Sequence, residues 1–383
     1  MLKKFSVKNF KNFKDEVCID FEEIAGYQFN TDCITDGVIS KMLIYGRNAT
    51  GKTNLGKALM DIGFTMFGEP GYGGNGIFLN ADSPEEVAAF SYVFQFDDTE
   101  LIYRYARFSE QELQDEELII NGKTVFKIDF AKHEFNCDNL HYIKAETASI
   151  ERYLQSMEMG TEIEERVESK LPFFRWIINN VALEKDSIPV QLSKYIVRMR
   201  MVMAKNAVIF RQSTVNEFSK SLEDKDALKD FEDFLNAMGV ACKLITKKLP
   251  DGQNKLYFAH ENLVSFYENA SSGTLALAAL YQRIIAKIYD TSFLYLDEFD
   301  AFYHYEMAEN LVKFLKKRYP RCQVIMTSHN TNLISNRLMR PDCVFVLSGT
   351  GTLTALCNAT QRELREGHNL EKMYISGEFE KYE

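Results

Sequence analysis

The chain has 383 residues, with 45 Lys+Arg against 55 Asp+Glu, a formal net charge of −10, and 46% hydrophobic residues. These proportions exclude a disordered or fibrous polymer, and the acidic balance excludes a protein that wraps nucleic acid with its whole surface. Seven scattered cysteines with no C-x-x-C pair point to neither a zinc site nor a disulfide framework, and the absence of a long apolar run points to a cytoplasmic protein without membrane contact.

The first elements in chain order are strands. FSVKNF and VCIDF carry alternating or apolar runs, and Lys41–Tyr45 (KMLIY) is a short apolar strand that runs into Gly46. A helix pattern opens after Gly51. Between them, Gly46-Arg47-Asn48-Ala49-Thr50-Gly51-Lys52-Thr53 satisfies G-x-x-x-x-G-K-[ST], followed by Asn54 at the helix start. Backbone N–H groups in such a loop point at phosphate oxygens, and the helix N-terminus adds partial positive charge. Lys52 is expected to reach the β- and γ-phosphates, and the Thr53 hydroxyl to bind Mg²⁺.

Residues 70–76 (PGYGGNG) are expected to form a loop. Alternating segments over 88–108 and 118–130, with Asn121-Gly122 as a hairpin turn, predict an antiparallel sheet. Residues 140–238 change to a helical composition; Leu228, Phe231, Leu235 and Met238 mark one amphipathic helix that Gly239 ends. Asp251-Gly252 then joins two further strands. Within the middle region Lys194, Arg198, Arg200, Lys205 and Arg211 offer a basic helical face to a partner, to solvent or to nucleic acid.

From Ser271 onward, helices alternate with apolar strands, the pattern of a covered, largely parallel sheet. Ser292–Leu296 leads into Asp297 and Glu298. Adjacent carboxylates ending a buried strand are costly unless used. In a P-loop enzyme the first holds the Mg²⁺ shell and the second activates water, so Asp297 and Glu298 take those roles. The next strand, Gln323–Thr327, ends in Ser328-His329-Asn330, placing His329 where it can contact a γ-phosphate.

Phosphate loop, long gap, Ser-Ser-Gly-Thr, Leu-Asp-Glu and Thr-Ser-His, in that order, resemble the ABC-type ATPases of the SMC/RecF/Rad50 branch. More closely they resemble the compact OLD-like ATPases of anti-phage and abortive-infection systems. The resemblance implies an α/β fold: an ABC-type P-loop head with a largely parallel sheet, flanking helices and an antiparallel N-terminal sheet. Residues 1–135 and 241–383 would form its two halves, and 136–240 a largely helical insertion. It implies ATP and Mg²⁺ as cofactors. Ser271, Ser272, Gly273 and Thr274 would act as the signature, contacting the γ-phosphate held by another copy, although Ala270, Ser272 and Thr274 depart from L-S-G-G-Q. Lys11, in Asn9-Phe10-Lys11, would lie near the nucleotide; Gln95 would be the Q-loop ligand; His304 falls where SMC proteins have Asp.

The implied activity is ATP hydrolysis in a head-to-tail dimer, serving as sensor or scaffold for a separate effector such as a nuclease or toxin. The stretch after His329 is too short for a nuclease domain. The alternative is a RecF-like DNA-repair ATPase, which gapped duplex DNA would stimulate.

Overall fold

Lys41–Tyr45 is buried along its whole length and lies inside a six-stranded sheet, as its unbroken apolar pattern requires. The computed structural model describes residues 1–68, 77–163, 171–203 and 212–383. Across this sheet the order is Met199–Met203, Phe293–Asp297, Gln323–Ser328, Lys41–Tyr45, Val344–Leu347 and Leu353–Ala355. The first five strands run parallel and the last is antiparallel. The expected largely parallel sheet is therefore present. The strand that ends in Asp297 is separated from the phosphate-loop strand by the one that ends in Ser328.

A second, seven-stranded sheet is antiparallel throughout, and includes Leu2–Lys8, Val17–Asp20, Ala88–Phe96, Thr99–Arg107, Leu113–Ile120 and Lys123–Asp129. Phe90, Tyr92 and Phe94 turn inward while Ala89, Ser91 and Val93 turn outward, the period of two that the sequence shows. Asn121 and Gly122 both have positive φ, at 47° and 74°, as a tight two-residue hairpin demands.

The helix Lys52–Phe67 lies between the two sheets and buries Leu55, Ala58, Leu59, Ile62 and Met66. Tyr92 Oη donates to the Ala58 carbonyl at 2.8 Å from one side, and Tyr295 Oη to the Lys52 carbonyl at 2.5 Å from the other. Gly56 permits this packing, since a Cβ there would lie 2.5 Å from the Tyr295 ring. The sheets are also joined by Gln323. Its Oε1 accepts from Leu2 N and Tyr195 Oη, both at 2.8 Å, and its Nε2 donates to Leu2 O.

The middle region contains helices at Ile150–Ile163, Phe173–Asn180, Ile188–Val197, Gln212–Ser221 and Lys225–Ala237. Phe231, Leu235 and Met238 are buried, as their spacing predicts. Buried Glu116 docks one of these helices on the antiparallel sheet: its carboxylate accepts from Phe173 N, Phe174 N and Tyr103 Oη at 2.7, 3.1 and 2.8 Å. Two expectations change here. The span 136–240 is not purely an inserted unit, because its strand Met199–Met203 forms the edge of the parallel sheet. Nor do Lys194, Arg198 and Arg200 share a helical face: the helix ends at Val197, Arg198 caps it, and Arg200 lies in the strand. Alternating Met and Val favour the strand once the apolar Phe293–Asp297 lies beside it. Lys205, Arg211 and the Gly-rich residues 70–76 lie outside the described residues.

Candidate functional site

The phosphate loop, Asp297 and Ser328 all sit at the C-terminal ends of parallel strands, the side on which open α/β sheets bind ligands. Ser328 pairs with Tyr45 across the sheet, and Gly46 N donates to Ser328 O at 3.2 Å. The two strand ends thus reach the crevice at one level.

Within the loop, Ala49 and Gly51 have φ of 66° and 102°, turning the backbone over itself. Lys52 Nζ donates to the carbonyls of Gly46 and Arg47 at 2.7 and 2.9 Å. Burial lowers its pKa, while the nearby carboxylates of Glu298, Asp297 and Asp300 oppose that shift. Asn48 and Ala49 are exposed at the crest, and buried Thr50 ties its hydroxyl to the Arg47 carbonyl at 3.0 Å. Asn54 follows in the first helical turn.

Asp297 is held on both oxygens. Thr53 Oγ1 donates to Oδ2 at 2.6 Å, and Thr327 Oγ1 to Oδ1 at 3.0 Å. Burial raises the Asp297 pKa, and these two hydrogen bonds pull it back. Glu298 is half-buried in a left-handed backbone conformation, φ 49°, with its N–H donating to Thr327 Oγ1 at 2.8 Å. A non-glycine residue held there is strained, and such outliers cluster at functional sites. His329 is exposed, one residue beyond the Ser328 carbonyl that Gly46 engages. Lys52, Thr53, Asp297 and Glu298 are therefore brought together, and His329 follows the strand end beside Gly46.

A buried carboxylate beside a threonine hydroxyl is the hard-oxygen pairing that suits Mg²⁺. Asp300 adds to this fit. It is buried, accepts from Ser328 Oγ at 2.8 Å through Oδ2, and leaves Oδ1 without a hydrogen-bond partner among the described residues.

Other expected residues fall elsewhere. Ser271 caps the helix Ser272–Arg283, its Oγ accepting from Thr274 N at 3.1 Å, with Ser271 and Ser272 exposed. Among the described residues no hydrogen bond joins 271–274 to 46–54. Leu280, further along that helix, lines one small cavity with Asp297 and Phe302, and the Phe302 carbonyl lies 3.2 Å from where a Cβ on Gly273 would be. His304 occupies the N-cap of Tyr305–Arg318 and is exposed.

Gln95 is misplaced as a metal ligand. It lies beside the Asp97 turn, and its backbone exchanges hydrogen bonds with Met1. The adjoining Leu2 binds Gln323, at the start of the strand whose far end is Ser328, so the crevice is roughly 16 Å away by strand rise alone. Lys11 makes a backbone contact outside the phosphate loop. Its Nζ donates to Ile77 O at 3.2 Å, and burial with neighbouring Lys57 lowers its pKa.

The next residue, Asn12, makes the contact instead. Its Nδ2 donates to Thr50 O at 3.1 Å and its Oδ1 accepts from Asn54 Nδ2 at 2.8 Å. A Cβ on Gly51 would fall 2.1 Å from Asn12 Nδ2, so the loop's second glycine is fitted to this side chain. Asn12, Asp300 and Thr327 escaped the sequence reading. The left-handed turn that presents Asn12, with Asn9 and Lys11 at φ 53° and 51°, has no distinct sequence signature, but Asp300 was legible as the third acid of D-E-F-D.

Residues 41–140 and 202–335 match the family described as "AAA domain, putative AbiEii toxin, Type IV TA system". The chain belongs to this family. Membership bears out the resemblance carried by the motifs and makes the chain an ATPase-type P-loop domain. No curated protein matches the chain. Similar solved structures include an SMC head bound to the C-winged-helix domain of ScpA, at 14% identity and TM-score 0.47, covering 93% of this chain and 97% of that one. The SMC head domain from Thermotoga maritima aligns at 16% identity and TM-score 0.43, covering 92% and 98%. An SMC head with an extended coiled coil, bound to a ScpA domain and derived from Pyrococcus furiosus, aligns at 15% and 0.42, covering 99% of each chain. Among the described residues no helix is long and apolar enough to cross a membrane.

Proposed function

We propose that this AAA domain binds and hydrolyses ATP, closes head-to-tail on a second copy around the nucleotide, and controls a separate effector in a bacterial defence system. The convergence of Lys52, Thr53 and the Asp297–Glu298 pair carries the catalytic part of this reading. The family's description, which couples the domain to a toxin system, supports the effector.

In this reading the amides of residues 48–53 and the Lys52 ammonium hold the β- and γ-phosphates. Thr53 and Asp297 would hold Mg²⁺, which neutralises charge on the phosphates. Half-buried Glu298 orients and polarises the attacking water, and His329 donates to the γ-phosphate. Ser271 and Gly273 of the second copy close the far side of the site. The exposure of Ser271 favours contact in trans. The remaining middle helices offer the effector a contact surface.

The test is sedimentation of Glu298→Gln in saturating ATP–Mg²⁺, where slowed hydrolysis should trap the closed pair. A dimer that dissociates on exchange to ADP is expected. A monomer under both conditions contradicts the head-to-tail reading.

A further inference from the structure

The strand Gln323–Ser328 ends in two buried hydroxyls, and each ties an acid of the D-E-F-D segment to a backbone N–H. Thr327 Oγ1 donates to Asp297 Oδ1 at 3.0 Å and accepts from Glu298 N at 2.8 Å. One residue on, Ser328 Oγ donates to Asp300 Oδ2 at 2.8 Å and accepts from Asn330 N at 2.9 Å. The first bridge joins the two acids given to metal and water. The second straddles His329, because one hydroxyl holds the residues on both sides of it.

No step of the proposed reaction uses Asp300, yet burying it is costly: it is 7% exposed, and its Oδ1 has no hydrogen-bond partner among the described residues. Support for the Lys52 ammonium does not account for it, because Glu298 and Asp297 act on that group more strongly. The Ser328 contact does. A carboxylate accepts, and a serine hydroxyl has one proton to give. Asp300 therefore fixes the direction of that proton and leaves the oxygen's lone pairs to Asn330 N. The flanking backbone is pinned as well: Ser328 O accepts from Gly46 N at 3.2 Å, and Asn330 Oδ1 accepts from Asn332 N at 3.1 Å. Asp300 itself sits in a closed turn, its carbonyl accepting from Tyr303 N at 3.1 Å.

We propose that Asp300 is a positioning residue for hydrolysis, acting through the Ser328 hydroxyl to hold the turn at His329 in the orientation from which the imidazole meets the γ-phosphate. This rests on the role given to His329 above and goes beyond it, since it assigns the third acid of D-E-F-D to the histidine turn. The assignment is independent of any second copy of the chain. It makes Asp300 and Ser328 one unit, so removing either member should do the same damage as removing both.

The experiment is a mutant cycle on steady-state ATP hydrolysis by the full chain, with ATP affinity measured in Mg²⁺ and in EDTA. Asp300→Ala and Ser328→Ala should each lower kcat about 10-fold and leave KM within about three-fold, and the double variant should be no slower than about two-fold below either. Ser328→Thr, which keeps the hydroxyl, should recover most of the loss. In a His329→Ala background neither change should lower kcat more than about two-fold further, a result that general loosening of the fold would not give. Additive losses, about 100-fold in the double variant, overturn the inference, as does an undiminished effect without His329. Mg²⁺-dependent loss of ATP affinity in Asp300→Ala but not in Ser328→Ala also overturns it, assigning the acid to the metal. A slow His329→Ala beside a wild-type Asp300→Ala sinks this inference alone. A wild-type rate for His329→Ala removes the role given to the histidine, and the inference with it.

Discussion

The Thr53 hydroxyl donates a 2.6 Å hydrogen bond to Asp297, a residue 244 positions further along the chain. Thr53 opens the helix that leaves the phosphate loop, and Asp297 ends a strand two places away in the sheet. Asp297 also acts on the Lys52 ammonium, opposing the fall that burial imposes on its pKa, so the strand end and the phosphate loop are electrostatically joined.

Replacing Asp297 by Asn keeps the shape but removes the charge that a metal requires. Nucleotide affinity in Mg²⁺ should fall by about 10-fold or more, whereas affinity in EDTA should change little. Paired titrations by calorimetry with and without Mg²⁺ check this. Equal losses in both conditions would assign Asp297 a purely structural role.

Asn12 carries a different expectation, because it holds the loop rather than the ligand. Asn12→Ala leaves the Thr50 carbonyl and the Asn54 amide without this partner and opens space beside Gly51. The loop should loosen, with KM for ATP rising about 5- to 20-fold, the equivalent of about 1–2 kcal/mol. Steady-state kinetics should show kcat changed less than KM. Asn12→Asp keeps the acceptor for Asn54 and loses the donor to Thr50, so it should recover only part of the effect.

Far from the crevice, Glu116 sets a pH dependence of stability. Burial, the largest influence, pushes its carboxyl from the usual 4.5 up to about 7, although Tyr103 and the amides of Phe173 and Phe174 pull the other way. Between those two values the folded chain keeps a proton that the unfolded chain has released. Stability therefore falls as pH rises from about 4.5 to about 7, by up to roughly 3 kcal/mol. Glu116→Gln should flatten this slope in denaturant melts across that window. An unchanged slope would show that other groups produce it.

Gln323 satisfies both backbone groups of Leu2 from the first position of a core strand, and also accepts from Tyr195. Gln323→Leu would leave these buried groups unpaired. A loss of about 2–4 kcal/mol in unfolding free energy is expected, measured by urea titration. A loss under about 0.5 kcal/mol would mean that water or rearrangement replaces the clamp.

Much of this arrangement was legible because it is local. The G-x-x-x-x-G-K-T loop, the alternation of Phe90, Tyr92 and Phe94, the Asn121-Gly122 hairpin and the Phe231–Leu235–Met238 stripe each follow from short-range rules of backbone and burial. What escaped depends on partners distant in sequence. Met199–Met203 is a strand because Phe293–Asp297 pairs with it, and no local pattern announces that neighbour. Asn12 acquires its role only when the left-handed turn at Asn9–Lys11 swings it onto Thr50. Gln95 fails as a ligand for the complementary reason: its chemistry suits a metal shell, but strand register ties it to Met1 at the wrong end of the sheet.

Single-turnover phosphate release by Glu298→Gln in saturating ATP–Mg²⁺ bears most directly on the catalytic geometry. Removing the charge from the carboxylate proposed to face the attacking water should slow release by about 100-fold or more while ATP affinity stays near that of the wild type. Release at the wild-type rate would contradict the placement of Glu298 at the reacting water, and with it the assignment of this crevice as the hydrolytic site.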